Sequence, residues 1–230
     1  MDAFHSNSLS PLLSRGFVYA IAHVRGGDDM GMHWYDDGKL LNKKNTFTDF
    51  IDCTEFLIEE GYADKDQIVA EGASAGGLLM GAVANMRPDL FRLIILNVPF
   101  VDVVNTMLDD QLPLTTGEYD EWGNPREKKY FNYMKSYSPY DNVKNQSYPN
   151  MLFMTGLNDT RVGYWEPAKM VAKLRAHNTS DTEILLKTDF NAGHGGGSGR
   201  FEYYRNTSYK YALIFDFLKA SNEEQSETSP

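Results

Sequence analysis

Residues 72–76 read Gly-x-Ser-x-Gly, in which Ser74 could act as a nucleophile. The short apolar run 67–71 before it is typical of a strand, and the run 78–86 after it is rich in helix-forming residues. A serine on such a strand-to-helix turn has its hydroxyl pushed outward, and both glycines are expected to let the two backbones approach closely. The first N–H groups of the helix could stabilise a developing oxyanion. The alternative is a tight turn of small residues that cradles a phosphate, although the spacing fits neither common phosphate-binding glycine motif.

An activated serine needs an imidazole to accept its proton and a carboxylate to orient that imidazole. Asp159 directly follows a predicted strand over 151–155, and His194 lies in a glycine-rich loop after a predicted strand over 183–187. The chain order is serine, acid, histidine, and the carboxyl ends of parallel strands meet at one edge of a sheet. These positions predict that the three side chains converge. Taken alone, Asp159 could be a turn residue and the glycine-rich loop a solvated hinge.

Strand-like apolar runs alternate with helical patterns along the chain, which predicts a mainly parallel, doubly wound α/β sheet. The predicted strands cover Gly16–Val24 and residues 67–71, 92–97, 151–155 and 183–187. The predicted helices cover residues 46–60, 78–86, 166–176 and 208–218. Residues 100–147 lack a long periodic segment and contain many aromatic and acidic residues, as in a functional insertion.

The chain has 230 residues, 42% of them hydrophobic, which suits one well-packed domain. No apolar run is long enough to span a membrane. The single cysteine, Cys53, falls in the helical pattern over 46–60, where a small buried residue is expected, and suggests a reducing, cytoplasmic location. The net charge of -10 argues against nucleic acid and anionic membranes as partners. We expect no cofactor and no metal.

Several motifs together resemble the prolyl oligopeptidase family of serine peptidases. They are Arg25-Gly-Gly-x-x-x-Gly31-x-x-Trp34, Gly72-x-Ser-x-Gly-Gly77, Pro99-Phe-Val-Asp-Val103, Gly156-x-x-Asp-x-Arg-Val162 and Gly193-His-Gly-Gly196. Residues 114–125 and 137–141 are more similar to the oligopeptidase B branch, which cleaves after Arg and Lys. The resemblance runs from about Ser14 to Leu218 and implies an α/β-hydrolase fold.

The resemblance also implies roles for individual residues. Ser74 would be the nucleophile, His194 the general base and Asp159 the acid that orients it. The N–H of Ala75 would be one oxyanion donor, and Arg161 would contact the main chain of the substrate.

Glu118 and Asp120, by the same resemblance, would bind the cationic side chain that precedes the cleaved bond. Two carboxylates two residues apart on an extended segment point the same way and can grip one cation together. Without the resemblance, these acids would be interpreted as a solvated surface.

Full-length members of that family carry an N-terminal β-propeller and further strands before the first strand recognised here. We therefore expect a partial α/β-hydrolase catalytic domain over residues 1–220, lacking those first strands, and a disordered polar tail over residues 221–230. The missing strands would supply a tyrosine as second oxyanion donor, so activity is expected to be weakened. Without those strands, Gly16–Val24 would be an unpaired edge through which copies of the chain could associate.

Three functions remain open. The first is a serine peptidase that cleaves short basic peptides through an acyl-enzyme. The second is a small esterase that uses the same three residues, for which a cation-binding pocket would have no purpose. The third is a non-catalytic remnant that binds partners through its exposed edge.

Overall fold

Residues 8–227 are described in a computed structural model of the chain, apart from the side chains of Arg200 and residues 219–227. In this part of the chain four parallel strands form one sheet whose spatial order follows the sequence. The strands are β1 (Val69–Ala73), β2 (Leu93–Asn97), β3 (Asn150–Gly156) and β4 (Ile184–Asp189). Each lies within two residues of a predicted strand at both ends. Their carboxyl ends meet at one edge of the sheet, as the predicted doubly wound topology requires.

Helices connect and cover the strands. The described α-helices are α1 (Ser10–Leu13), α2 (Met32–Asp36), α3 (Lys44–Glu59), α4 (Ala75–Met86), α5 (Val103–Leu108), α6 (Tyr119–Trp122), α7 (Lys128–Lys135), α8 (Trp165–His177) and α9 (Arg200–Glu227). Short 3-10 helices cover Leu40–Asn42, Lys65–Gln67, Pro88–Leu90 and Thr116–Glu118. Three short α-helices and one 3-10 helix therefore occupy the region predicted as an insertion. No helix in the described residues is both long enough and apolar enough to cross a lipid bilayer.

The sheet buries both of its faces, which explains why β2 is apolar at nearly every position. Ile94 and Leu96 pack into the larger hydrophobic cluster, with residues of α3, α4 and α8. Leu93 and Ile95 point to the opposite face, where they pack with Ile214 of α9. Successive side chains of β2 thus point alternately into two hydrophobic cores, one on each face of the sheet. The sheet therefore lies between two layers of helices.

The predicted strand over Gly16–Val24 is wrong. Residues 17–24 belong to no strand, and the side chains of Val18, Tyr19 and Ile21 are exposed. A cavity of about 650 Å³ separates this segment from β1. The segment has no neighbouring strand within the described residues to complete its backbone hydrogen bonds, so its apolar composition alone does not make it a strand. The edge strands of the described sheet are therefore β1 and β4, and β1 is the one that faces the cavity.

Two further expectations need correction. Cys53 is exposed and lines that cavity, because nothing in the described residues covers this side of α3. The last helix was expected over 208–218, but α9 spans Arg200–Glu227. No glycine or proline interrupts this stretch. It includes residues 221–227 of the segment predicted to be disordered, and residues 228–230 lie outside the described residues.

The turn between β1 and α4 depends on glycine at two places, one of which the sequence analysis missed. A Cβ atom at Gly72 would lie 2.2 Å from the carbonyl oxygen of Gly76, so β1 and α4 can approach only if residue 72 is glycine. A Cβ atom at Gly76 itself would meet nothing within 4 Å. At Gly77 it would lie 2.5 Å from Cβ of Pro99. Gly77, rather than Gly76, is the second glycine that packing requires.

We predict opposite effects of alanine at the two adjacent glycines of α4. Gly77→Ala should lower the free energy of unfolding by about 1–3 kcal/mol, because the added methyl group overlaps Pro99. Gly76→Ala should leave it unchanged or raise it by up to about 1 kcal/mol, since alanine favours the helix. Urea unfolding of both variants measures the difference. Equal destabilisation would contradict the packing described here.

Candidate active site

Ser74 lies on a strained turn between β1 and α4. Its backbone has φ 55° and ψ −114°, a conformation that non-glycine residues rarely adopt. Its N–H donates to the carbonyl of Asn97 at 3.0 Å, and its carbonyl accepts hydrogen bonds from the N–H groups of Leu78 and Phe100 at 3.1 and 3.2 Å. Hydrogen bonds therefore hold both the N–H and the carbonyl of Ser74.

The structure brings Ser74, His194 and Asp159 together in one chain of hydrogen-bond contacts. His194 Nε2 lies 3.0 Å from Ser74 Oγ, and His194 Nδ1 lies 2.7 Å from Asp159 Oδ2. The Asp159 carboxylate is fully buried, and the imidazole is only slightly exposed. A buried carboxylate at Nδ1 favours the tautomer that carries its proton there, which leaves Nε2 free to accept the serine proton.

Asp159 is oriented by backbone donors on its own loop. Its second oxygen, Oδ1, accepts hydrogen bonds from the N–H groups of Arg161 and Val162, both at 2.9 Å. Every oxygen of the buried carboxylate is thus occupied, as its burial demands. The carboxylate can rotate little and presents Oδ2 to His194.

The loops that carry Asp159 and His194 hold each other in place. The N–H of Asn158 donates to the carbonyl of Ala192 at 3.0 Å. A Cβ atom at Gly156 would lie 2.5 Å from that same carbonyl oxygen, so only glycine allows the two loops to approach this closely. Because β3 and β4 are neighbouring strands with Gly156 paired to Asp189, both loops leave the sheet side by side.

Ala75 and Arg161 both lie beside these three residues. Ala75 is the first residue of α4, and its N–H has no helical acceptor because the residue four positions earlier lies in β1. That N–H is available to an oxyanion at the positive end of the helix dipole. Arg161 is exposed, and its guanidinium makes no hydrogen bond or ion pair with the residues described.

Glu118 and Asp120 do not form the paired grip that was expected. They lie on consecutive helical turns, Thr116–Glu118 and α6, and not on an extended segment. Residues two apart on a helix point in widely different directions. Glu118 Oε2 accepts a hydrogen bond from the indole N–H of Trp122, whereas Asp120 is exposed.

Helical spacing instead places Glu118 near Glu121, which the sequence analysis did not single out. Glu121 Oε2 accepts a hydrogen bond from the hydroxyl of Tyr35 at 2.6 Å, and this bond raises the pKa of Tyr35 to about 12. Its other oxygen lies 3.7 Å from Nζ of Lys43, whose pKa is lowered by burial. The signal was available in the sequence as Glu-x-x-Glu-Trp, the spacing of one helix face.

Residues 118–122, called the acidic segment below, are connected to the serine turn through aromatic packing. The Lys43 ammonium lies over the ring of Trp122, 4.8 Å from its centroid. The other neighbour of that indole is Phe100, with ring centroids 5.4 Å apart. Phe100 also donates its N–H to the carbonyl of Ser74. The acids are therefore two residues away from the candidate nucleophile in a chain of direct contacts.

Glu166, near the start of α8, is a second group that the sequence did not reveal. Its side chain is buried, and burial raises its pKa to about 7. Its carboxylate accepts hydrogen bonds from the backbone N–H groups of Val101 and Asp102 and from the Thr106 hydroxyl. Within the described residues, no cluster of three or more His, Cys, Asp or Glu side chains could hold a metal ion.

Comparisons with known proteins find relatives over nearly the whole chain. The chain is 56% identical over 223 residues to dipeptidyl aminopeptidase BI of Pseudoxanthomonas mexicana, covering 97% of this chain and 31% of that protein. It is 54% identical over 215 residues to protease 2 of Moraxella lacunata, covering 94% and 31%. The structure of oligopeptidase B from Leishmania major matches with a TM-score of 0.92 at 51% identity, covering 95% of this chain and 30% of that chain.

The chain thus spans about a third of the length of these relatives. The solved structure is similar across the parallel sheet and its helices, which identifies the α/β-hydrolase fold. The Prolyl oligopeptidase family model matches residues 3–223. The chain belongs to the prolyl oligopeptidase family.

Proposed function

We propose that this chain carries the catalytic site of a serine peptidase that works through an acyl-enzyme. The observation that carries the proposal is the continuous contact from Ser74 through His194 to the buried carboxylate of Asp159. This arrangement can move a proton from the serine hydroxyl to the imidazole while the carboxylate stabilises the imidazolium that forms. An exposed serine without such partners would remain a weak nucleophile.

The geometry supports the following steps. Ser74 Oγ attacks the carbonyl carbon of the scissile bond as His194 Nε2 takes its proton. The N–H of Ala75 donates to the oxygen that becomes negative. The imidazolium then gives its proton to the departing amine, which leaves an ester on Ser74. Water, deprotonated by the same imidazole, hydrolyses that ester and restores the serine.

The substrates we propose are short peptides with Arg or Lys before the cleaved bond. Three acidic residues, Glu118, Asp120 and Glu121, lie on the segment whose Trp122 packs against Phe100. Lys43 and Tyr35 already engage Glu121, and Trp122 engages one oxygen of Glu118. The second oxygen of Glu118 and the exposed carboxylate of Asp120 remain for a substrate cation. In this geometry Glu118 is the principal contact, and Arg161 is available for the main chain of the peptide.

Two other functions are less well supported. A small esterase could use the same three residues, but it would gain nothing from an acidic segment beside them. A non-catalytic remnant would not need a strained serine aligned with a buried His–Asp pair. A free Cys53 fits the cytoplasmic location that we propose.

We expect a fluorophosphonate probe to label the folded chain at Ser74. Ser74→Ala should abolish labelling. Asp159→Asn should slow it by at least about 100-fold, because the amide N–H of asparagine would donate to Nδ1 and favour the tautomer whose Nε2 cannot accept the serine proton. Gel fluorescence and peptide mapping measure the extent and the site of labelling. Ser136→Ala, which removes an exposed serine, is the matched control and should label normally. A folded wild-type chain that fails to react would favour the non-catalytic function.

The acidic segment should determine preference for basic residues. Replacing Glu118 with Gln and Asp120 with Asn should lower kcat/KM for Arg substrates by about 2–4 kcal/mol of transition-state binding, since charge-assisted contacts are lost. Activity on a matched Phe substrate should change little. Glu127→Gln, which neutralises an exposed acid just before α7 and outside residues 118–122, is the control for a change of charge alone. Equal losses on both substrates would show that the two acids are structural.

The similarity to a dipeptidyl aminopeptidase makes dipeptide release the second candidate activity. Substrates with free and with blocked amino termini can be compared in the same assay. Cleavage that requires the free terminus would favour the dipeptidyl activity over internal cleavage.

We also propose that copies of the chain associate through the exposed segment Gly16–Val24 and the free edge of β1 on the other side of the cavity. The edge of β1 presents unpaired backbone groups, and the segment exposes the apolar side chains of Val18, Tyr19 and Ile21 to solvent. Light scattering coupled to size exclusion should detect dimers or larger species, and Ile21→Lys should reduce them. Phe190→Lys, which removes an even more exposed apolar side chain outside the cavity, should not. A monodisperse wild-type monomer at high concentration would refute this proposal.

A further inference from the structure

The loop between β2 and α5, residues 98–102, forms one wall of the serine turn. Its Phe100 N–H donates to the carbonyl of Ser74, and its Pro99 packs directly against Gly77 of α4. Its Phe100 ring also packs against Trp122 of the acidic segment. A shift of this loop would therefore move both the nucleophile and the residues proposed to bind the substrate cation.

The same loop contains a strained residue. Val98 has φ 40°, a left-handed conformation that is costly for a β-branched side chain. Its N–H donates to the carbonyl of Met154 at 2.7 Å, which fixes the beginning of the loop to β3. Such strain persists only where the surroundings hold the chain in place, so the far end of the loop also needs an anchor.

Glu166 supplies hydrogen-bond acceptors at that far end. Its Oε2 accepts from the N–H groups of Val101 at 2.9 Å and Asp102 at 2.8 Å, and its Oε1 accepts from the Thr106 hydroxyl at 2.7 Å. The residue is 1% exposed, so water cannot replace these bonds. Removing the carboxyl would leave two buried backbone donors without an acceptor.

Glu166 also lies close in sequence to the loop that orients the histidine. Its own N–H donates to the carbonyl of Gly163, directly after the loop in which Asp159 accepts bonds from Arg161 and Val162. Glu166 thus connects two loops: its side chain holds the loop after β2, which touches the nucleophile, and its backbone N–H holds the loop after β3, which carries the acid.

We infer that Glu166 is a positioning residue, which holds the loop of residues 98–102 against the Ser74 turn. It acts through hydrogen-bond geometry and touches none of the reacting atoms. The effect on reactivity rests on the function proposed above, whereas the effect on the loop does not.

The role requires an acceptor pointing at the loop and does not require a negative charge. The charged neighbours are the buried carboxylate of Asp102 and the ammonium of Lys169, which pair with each other. A glutamine at position 166 could accept both backbone N–H groups through its carbonyl oxygen and donate its amide to Thr106 Oγ1. Glu166→Gln should therefore preserve the loop, and Glu166→Ala should not.

The test compares four variants of the full chain with the wild type. Glu166→Ala removes the acceptor, Glu166→Gln replaces it, and Thr106→Val removes only the hydroxyl contact. Leu174→Ala truncates a fully buried side chain on the same helix, α8, and is the control for general destabilisation. Two quantities are measured under conditions where each variant is folded: the rate of fluorophosphonate labelling at Ser74, and hydrogen exchange in peptides that contain residues 98–102.

Glu166→Ala should label at least about tenfold more slowly than the wild type, because small displacements at a reacting group have large kinetic effects. Exchange at Val101 and Asp102 should be at least about tenfold faster, while β2 and β3 stay protected. In Glu166→Gln the labelling rate and the exchange rate should both stay within about threefold of the wild type, and the same is expected of Thr106→Val. Leu174→Ala should change neither the labelling rate at Ser74 nor the exchange rate of residues 98–102.

The inference would be overturned if Glu166→Ala labelled and exchanged at the same rates as the wild type. It would also be overturned if Leu174→Ala slowed labelling and sped up exchange as much as Glu166→Ala, or if Glu166→Gln did not restore the two rates. If the wild type itself fails to label, the proposed function fails. In that case exchange at residues 98–102 alone decides the role of Glu166 in holding the loop.

Discussion

The hydrogen bond between His194 and the buried carboxylate of Asp159 is the interaction on which the site depends. It requires a carboxylate held in one orientation, which the N–H groups of Arg161 and Val162 provide. It also requires two loops in contact, which follows from the adjacency of β3 and β4 and from the absence of a side chain at Gly156. The parallel register then places Ser74 at the same edge of the sheet, where His194 can reach it.

The convergence of these three side chains could be predicted from the sequence because their signals are local. Each follows a strand-like apolar run, and residues that directly follow parallel strands must lie at one edge, whatever the details of packing. The central strands β2 and β3 were predictable because strands buried on both faces are apolar at nearly every position. The turn chemistry of Gly72 was predictable, but which later glycine faces Pro99 depends on how the β2 loop returns over α4.

The remaining features depend on contacts that no local pattern contains. The apolar run Gly16–Val24 shows that the segment favours burial, but pairing needs a neighbouring strand, and the described residues offer none beside it. The acids at 118–121 were placed on an extended segment because short helical turns leave little periodicity to detect. Glu166 looks like a solvated helix residue in sequence, because its acceptor role depends on donors from a loop more than 60 residues away.

The strained turn at Ser74 is packed against protein on the side of the β2 loop and faces a cavity on the side of the β1 edge. On one side, Phe100 and Pro99 hold the turn, and Glu166 fixes the end of that loop. On the other side, Gly72 and Gly76 line the cavity that separates β1 from the exposed segment 16–22. Because strained conformations persist only when their surroundings determine them, the filled side must supply most of the restraint in this chain. Any chain segment that filled the cavity would add restraint at the same turn, so the state of the β1 edge and the reactivity of Ser74 are physically linked.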